Sequence, residues 1–200
     1  YIQTNTDGVD IEFRDAVAVA DDGILVLDDA QLDTITTDAR VEIQANEAGA
    51  GEEDITSAGT VDIDPGNFSY LILHAGDNIA QTGTLYIDIE TLGMRAGLDV
   101  NTATGGIGIG ATPQLVDVSE ATLAATAEAG IFIAERDGVT VGLVTDTLGT
   151  IEGITTTVDG AIGLRFAEIG VGDVDLNAQV TTTGASGDIA ISNRLGGFAG

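Results

Sequence analysis

A turn dipeptide followed by alternating apolar residues recurs along this chain, and that recurrence constrains the fold more than any other feature. It stands as Asp7-Gly8-Val9-Asp10-Ile11 and Asp22-Gly23-Ile24-Leu25-Val26, then as Asp137-Gly138-Val139-Thr140-Val141 and Asp159-Gly160-Ala161-Ile162-Gly163-Leu164. Gly172-Asp173-Val174-Asp175-Leu176 and Gly187-Asp188-Ile189-Ala190-Ile191 carry it in reversed order. Gly and Asp supply positive φ and side-chain turn bonds, and the alternation behind them is that of a half-buried strand. A turn-strand unit repeated this often predicts a stacked array.

Further short apolar runs fill the intervals: Val41–Ile43, Val61–Ile63, Tyr70–Leu73, Leu85–Ile89, Leu98–Val100, Ile107–Ile109, Leu115–Val118, Ile131–Ile133, Val139–Val144 and Ile162–Phe166. Val41 and Val61 stand 20 residues apart, and Leu85 and Ile107 stand 22 apart. Such steps are long for hairpins and short for βαβ units, which need about 30 residues or more. They fit coils of a β-helix. Aromatic residues make up only 4%, so the layers must be built from Val, Ile, Leu and Ala, which suit thin stacked strands. The expected architecture is all-β, a right-handed parallel β-helix with irregular coil lengths spanning residues 1–200 as one domain. About eight to ten coils at ~4.8 Å each would make a rod of roughly 40–50 Å. A β-sandwich is the alternative, because some strand spacings fall at about 8–12 residues.

Ser119–Ala129 is the one stretch with helical character, since Ser119 could cap it and Ala favours helix. The competing reading has two strand steps with Leu123, Ala125 and Ala127 pointing inward. The acidic segment Asn46–Ser57 reads as a protruding loop, Pro65 and Pro113 as coil corners, and Gly105–Gly110 as a strand where backbones approach closely.

Charge narrows the partners. There are 33 acidic residues against six Arg and no Lys, a formal net charge of -27. Such a surface repels nucleic acid and disfavours anionic membranes. No run of about 18 apolar residues is present to span a bilayer as a helix. With no Cys there is neither disulfide nor thiolate metal site. We read the chain as a mature protein or a piece of a longer one.

Tyr70-Leu71-Ile72-Leu73-His74-Ala75-Gly76-Asp77-Asn78-Ile79 resembles a repeat step of filamentous-haemagglutinin-like adhesins. Leu123–Ile133 followed by Asp137–Gly142 is a weaker version, and Val174–Ala178 followed by Gly187–Ile191 is similar again. The resemblance implies a right-handed parallel β-helix within a large repetitive surface protein that adheres or forms fibres. The chain departs from that family in its irregular coils and in having few Asn or Ser ladders.

Chemistry-bearing residues are sparse. His74 is the only histidine, and on a strand it faces opposite to Leu71 and Leu73, out of the coil; with no visible partner it reads as structural or solvated. Asn67-Phe68-Ser69 matches a glycosylation acceptor but is near chance in a chain of this length. Carboxylate pairs are more informative. Asp62 and Asp64 share one strand face, as do Asp173 and Asp175, and Asp88 and Glu90. Asp21-Asp22 and Asp28-Asp29 flank another strand. Each set reads first as a solvated acidic face. Asp62, Asp64, Asp173 and Asp175 are also the candidate ligands for weak divalent-cation binding, with Ca²⁺ the natural ion for hard oxygen donors. The expected role is a non-catalytic extracellular or cell-surface structural or adhesive protein. Its partners would be copies of itself, neighbouring segments of the same protein, glycans, or a host or cell-surface protein. Two alternatives stand beside it. One is a glycan-active β-helix enzyme using paired carboxylates, with Phe68, Tyr70 and Tyr86 as a sugar platform. The other is a β-sandwich building block of a surface layer or sheath.

Overall fold

The computed structural model describes residues 11–14, 24–27, 32–33, 35, 37, 40–45, 54–57, 60–63, 68–80, 84–87, 89–98, 105–108, 114–116, 122–136, 138–166, 173–185 and 187–193. Nearly all of them lie in strands or the turns between them. In chain order the strands are β1 (Ile11–Arg14), β2 (Ile24–Leu27), β3 (Val41–Ala45), β4 (Asp54–Ser57), β5 (Thr60–Ile63), β6 (Tyr70–Ala75), β7 (Thr84–Ile87), β8 (Thr91–Ala96), β9 (Gln114–Val116) and β10 (Thr122–Ala127). They continue as β11 (Ile131–Glu135), β12 (Val139–Val141), β13 (Leu143–Asp146), β14 (Gly149–Glu152), β15 (Ile154–Thr156), β16 (Ile162–Phe166), β17 (Val174–Leu176), β18 (Val180–Thr182) and β19 (Ile189–Asn193).

The strands stack in parallel to form a β-solenoid. The first wall runs β1-β3-β6-β8-β10 and then divides, with β12 and β15 both paired to β10, β17 paired to β12 and β18 to β15. The second wall is β2-β4, continued by single bridges from Ile55 to Ile79, Ile107 and Ile131, and ends in β9-β11-β16-β19. The solenoid makes about four turns, with β1 and β3 stacked ahead of β6 on the first wall. That is fewer than the eight to ten coils expected from sequence, because most coils are longer than the 20–22-residue step: Val41, Leu71, Leu92 and Leu123 stand beside one another at intervals of 30, 21 and 31 residues.

Columns of like side chains hold the levels together. Val41, Leu71, Leu92, Leu123 and Val141 occupy successive register positions, all at 0% exposure. Ile43, Leu73, Met94, Ala125 and Ile154 form a second column. On the other wall, Ile55, Ile79, Ile107, Ile131 and Ile162 form a third, at steps of 24, 28, 24 and 31 residues. The uneven steps cost nothing inside, because only strand register must match; surplus residues leave the coil at its corners. Parallel stacking places identical β-branched faces over one another at strand spacing, and each fully buried Ile or Leu contributes about 1.5–3 kcal/mol of transfer free energy.

The corner after β6 shows how turn chemistry and stacking combine. The Asn78 backbone and side-chain amides both donate to Asp54 Oδ1, at 2.9 and 3.0 Å, and Asn78 Oδ1 accepts from the Gly106 backbone N–H at 2.9 Å. This three-level polar step appears where few such ladders were expected. Gly105 packs so closely that a Cβ there would lie 2.2 Å from the Asp77 carbonyl oxygen, in line with the close approach read from the Gly-rich run.

Several expectations need revision. Within Ser119–Ala129, Thr122–Ala127 form strand β10 with Leu123, Ala125 and Ala127 inward, as the strand reading expects, and the helical option is set aside for these residues. The tertiary stack supplies a parallel neighbour on each side, which outweighs the helix propensity of Ala. The supposed loop Asn46–Ser57 ends in strand β4, where Ile55 is fully buried; residues 46–53 lie outside the described set. Leu98 follows β8 without joining a strand. Pro65, Pro113, Asn67, Asp21, Asp22, Asp28 and Asp29 lie outside the described residues.

Candidate functional site

The run Val139–Val144, which reads as one strand, is broken in two. Val141 sits beside Leu123, and the next slot inward, beside Ala125, is filled by Ile154. The twelve residues between leave the wall at Gly142 and return at Gly153. The Gly153 N–H donates to the Gly142 carbonyl at 2.8 Å, closing the neck. The excursion is an antiparallel hairpin, β13 against β14, with Val144 opposite Ile151 and Asp146 opposite Gly149. Asp146 accepts the Leu148 N–H at 2.8 Å in a side-chain-bonded turn, and Gly149 takes φ +131°.

The hairpin folds back over the outer face of the first wall. Alternate residues of β3, β6, β8 and β10 point out from the core, and here they meet the hairpin instead of water. Val144 and Ile151 pack on Ile72 and Ala124, with Tyr70 at the margin, as a second apolar cluster separate from the core. Gly93 lies in the middle of this face, in register with Ile72 and Ala124. A Cβ there would come within 2.6 Å of Ile72 Cδ1 and 2.8 Å of Val144 Cγ1. Its missing side chain is what lets the hairpin lie flat. Gly93→Val is therefore expected to lift the hairpin at a cost of about 1–3 kcal/mol. Hydrogen exchange of amides 143–152 should speed up while that of β6 and β8 stays slow, and unchanged protection of the hairpin would refute the steric argument.

Beyond the apolar cluster, the hairpin tip covers a polar one. His74 is 1% exposed, with Nε2 3.0 Å from Asp146 Oδ2 and Nδ1 3.2 Å from Glu42 Oε1. Arg95, the register neighbour of His74, donates from Nε to Asp146 Oδ2 at 2.5 Å and from Nη2 to Asp146 Oδ1 at 3.3 Å. Glu42 also accepts from Gln44 Nε2 at 2.9 Å and from the Thr147 hydroxyl, and its Oε2 lies 3.4 Å from Arg40 Nε. Arg40 Nη1 and the Tyr70 hydroxyl both donate to the Thr145 carbonyl, at 3.2 and 2.7 Å. Both imidazole nitrogens thus face a carboxylate oxygen, Glu42 from the wall and Asp146 from the hairpin.

Burial is the largest influence on His74 and lowers its pKa, although hydrogen bonding to Asp146 and the two nearby carboxylates pull the other way. For Asp146 burial alone would raise the pKa. The Arg95 and His74 contacts outweigh it and hold the carboxyl below its usual range.

The solvated or unpartnered reading of His74 is thus corrected. It does face out of the coil, but its outer side is roofed by Asp146, 72 residues later in the chain. A local signal was present: Gly142 interrupts the alternation, and Asp146-Thr147-Leu148-Gly149 is a turn between the alternating Leu143–Thr145 and Thr150–Glu152. The neighbouring hydroxyls, Tyr70 and Thr147, are committed to Thr145 and Glu42, and the imidazole has no open approach. The arrangement pairs buried charges across the contact between hairpin and wall.

Of the sequence-derived acidic pairs, only Asp173 and Asp175 are described in full, and they lie away from this cluster. Asp62 is in β5, in register with Tyr86, while Asp64 and Asp88 lie outside the described residues. Glu90 is exposed, as are Asp173 and Asp175, which flank inward Val174. Among the described residues no group of three or more His, Asp or Glu side chains is placed to hold a metal ion. The aromatic platform does not form as expected, because Phe68 is 2% exposed in the core and Tyr70 is bonded to the hairpin. No helix among the described residues is long and apolar enough to cross a membrane.

Walls, columns and roofed face define a protein of the parallel β-solenoid class, with the β13–β14 hairpin inserted into a coil. Comparison with protein-family models, with curated proteins and with solved structures gives no match to this chain.

Proposed function

We propose that this protein is a non-catalytic structural or adhesive element of the extracellular surface that builds a fibre by continuing its own stack. The observation that carries the reading is the last described level. There, among the described residues, β17, β18 and β19 each pair with one neighbour, on the side of the preceding coil. Val180 and Ile191 continue the inward columns but are only half covered, and Leu176 and Ile189 are 48% and 44% exposed. Unpaired parallel edges over a half-covered apolar column favour addition of another level of the same kind. Another copy of the chain is the occupant we favour. The acidic surface supports assembly in saline surroundings, where screening shortens charge repulsion to ~8 Å at ~0.15 M salt. Weak Ca²⁺ binding along Asp173 and Asp175 would act in the same sense, by lowering repulsion between copies.

Electron microscopy and sedimentation velocity test the reading. The protein should form rods that lengthen with concentration and salt. Val180→Lys places a charge in the open inward column, where it can reach solvent in a single copy but not in a stack, and should return the protein to single particles. A species of 20.2 kDa at every concentration and salt level would overturn self-assembly.

A further inference from the structure

The first level of the stack is open in the same way as the last. Among the described residues, β1 pairs with β3 alone and β2 with β4 alone, each on the side of the following coil. Three partly covered apolar residues pack against the main core, and they stand at the two ends: Leu25 at the first level, Val180 and Ile191 at the last. The columns they belong to run the length between. Leu25 stands beside Ile55, whose column passes through Ile79, Ile107, Ile131 and Ile162 to Ile189. Phe13 stands beside Ile43 in register, and that column ends at Val180. Both walls are parallel throughout.

Resting on the self-assembly just proposed, we infer that copies join head to tail, the β17–β19 edge of one against the β1–β2 edge of the next, in the register that continues both walls, so that the fibre is polar. Adding the next copy as one more coil sets its Leu25 beside Ile189, its Leu27 beside Ile191 and its Phe13 beside Val180. Each of these positions then has an apolar register neighbour on both sides, as the interior members of the columns do. The two edges run parallel, so their N–H and C=O groups meet with the spacing of every other rung. Joining two like ends by a two-fold axis does neither. It makes the new rungs antiparallel and breaks the columns. At the last level it also brings together two copies of an edge that carries Asp173, Asp175 and Asp188 and, among the described residues, no Arg. The charged residues of β1 and β2 are Glu12 and Arg14, so the head-to-tail junction meets that acidic edge with a balanced one. A junction between unlike ends does not close on itself, and copies add without limit.

The chain has no Cys, so engineered cysteines report the junction cleanly. Val26 and Ala190 follow Leu25 and Ile189 in their strands and are exposed, and the head-to-tail register makes them neighbours. Cα atoms on paired strands lie about 4.8 Å apart, inside the disulfide range of about 4.4–6.8 Å. Full-length Val26→Cys and Ala190→Cys proteins would be mixed at low salt, brought to high salt, oxidised with copper phenanthroline and separated on a denaturing gel. The mixture should yield roughly tenfold more covalent dimer than either variant alone, since a disulfide needs that close geometry. The double variant should give a ladder of multimers. Ser192→Cys, roughly 7 Å further along β19, should join Val26→Cys severalfold less well than Ala190→Cys does. As much dimer from Ala190→Cys alone as from the mixture would show like ends meeting, and would overturn the direction while self-assembly stands. A better yield from Ser192→Cys would overturn the register. Rods in the electron microscope without covalent dimer would overturn the junction alone. A species of 20.2 kDa that neither assembles nor cross-links would overturn the self-assembly reading with it.

Discussion

Ile131→Ala should lower the stability of this protein by about 2–5 kcal/mol. Ile131 is fully buried, with Ile107 one level before it and Ile162 one level after. Truncation removes transfer free energy and opens a gap between two side chains that cannot close on each other, because their separation is set by backbone ladders above and below. Levels in a solenoid are stabilised mainly by their neighbours, so a gap in the middle of the stack weakens two interfaces at once. Urea unfolding followed by circular dichroism would measure it. Leu176→Ala, at a half-exposed position of the last described level, is the control and should cost less than about 1 kcal/mol. Equal losses at the two sites would mean that the isoleucine column is not the spine of the fold.

Asp146→Ala carries the second large effect. Removing one member of a buried ion pair typically costs about 3–5 kcal/mol, because the partner charge is left without compensation. Asp146 is the shared acceptor for Arg95 and His74 and also caps the hairpin turn through the Leu148 N–H, so its loss strands two groups and a backbone donor. The cost is capped by local opening, since a hairpin fastened only by side chains can lift before the walls separate. Hydrogen exchange should therefore place most of the loss in residues 143–152, with a smaller change in global unfolding. Asp146→Asn keeps the volume and the turn bond and should recover part of it. A loss spread evenly over both walls would show that the hairpin is integral to the solenoid.

These two positions differ in how far the chain itself announces them. Ile131 is flagged locally, as an apolar residue in a short alternating run after Gly130, and the inward pointing of Leu123, Ala125 and Ala127 follows from the same period-two rule. Turn residues, small branched apolar side chains and scarce aromatics together set a stacked parallel β architecture. The glycine-rich run at 105 was legible as a close approach for the same reason, because a missing Cβ is a property of the residue itself. Strand β4 was hidden because one buried Ile55 among Asp, Thr and Ser gives no alternation to detect; its burial comes from the bridge to Ile79.

Only the tertiary structure decided what lies outside the core. Parallel register fixes which residue of the next coil stands beside which, and coil lengths here vary, so spacing alone could not align His74 with Arg95 or Ile72 with Gly93. Gly142 reads equally well as a strand glycine or as an exit, and the wall chose the exit because Ile154 fills the slot after Val141. The same choice carried Asp146 back over three earlier levels to His74. A period-two pattern reports which way a side chain points from its strand, but not whether another part of the chain will cover that face, since covering depends on contacts between residues far apart in sequence.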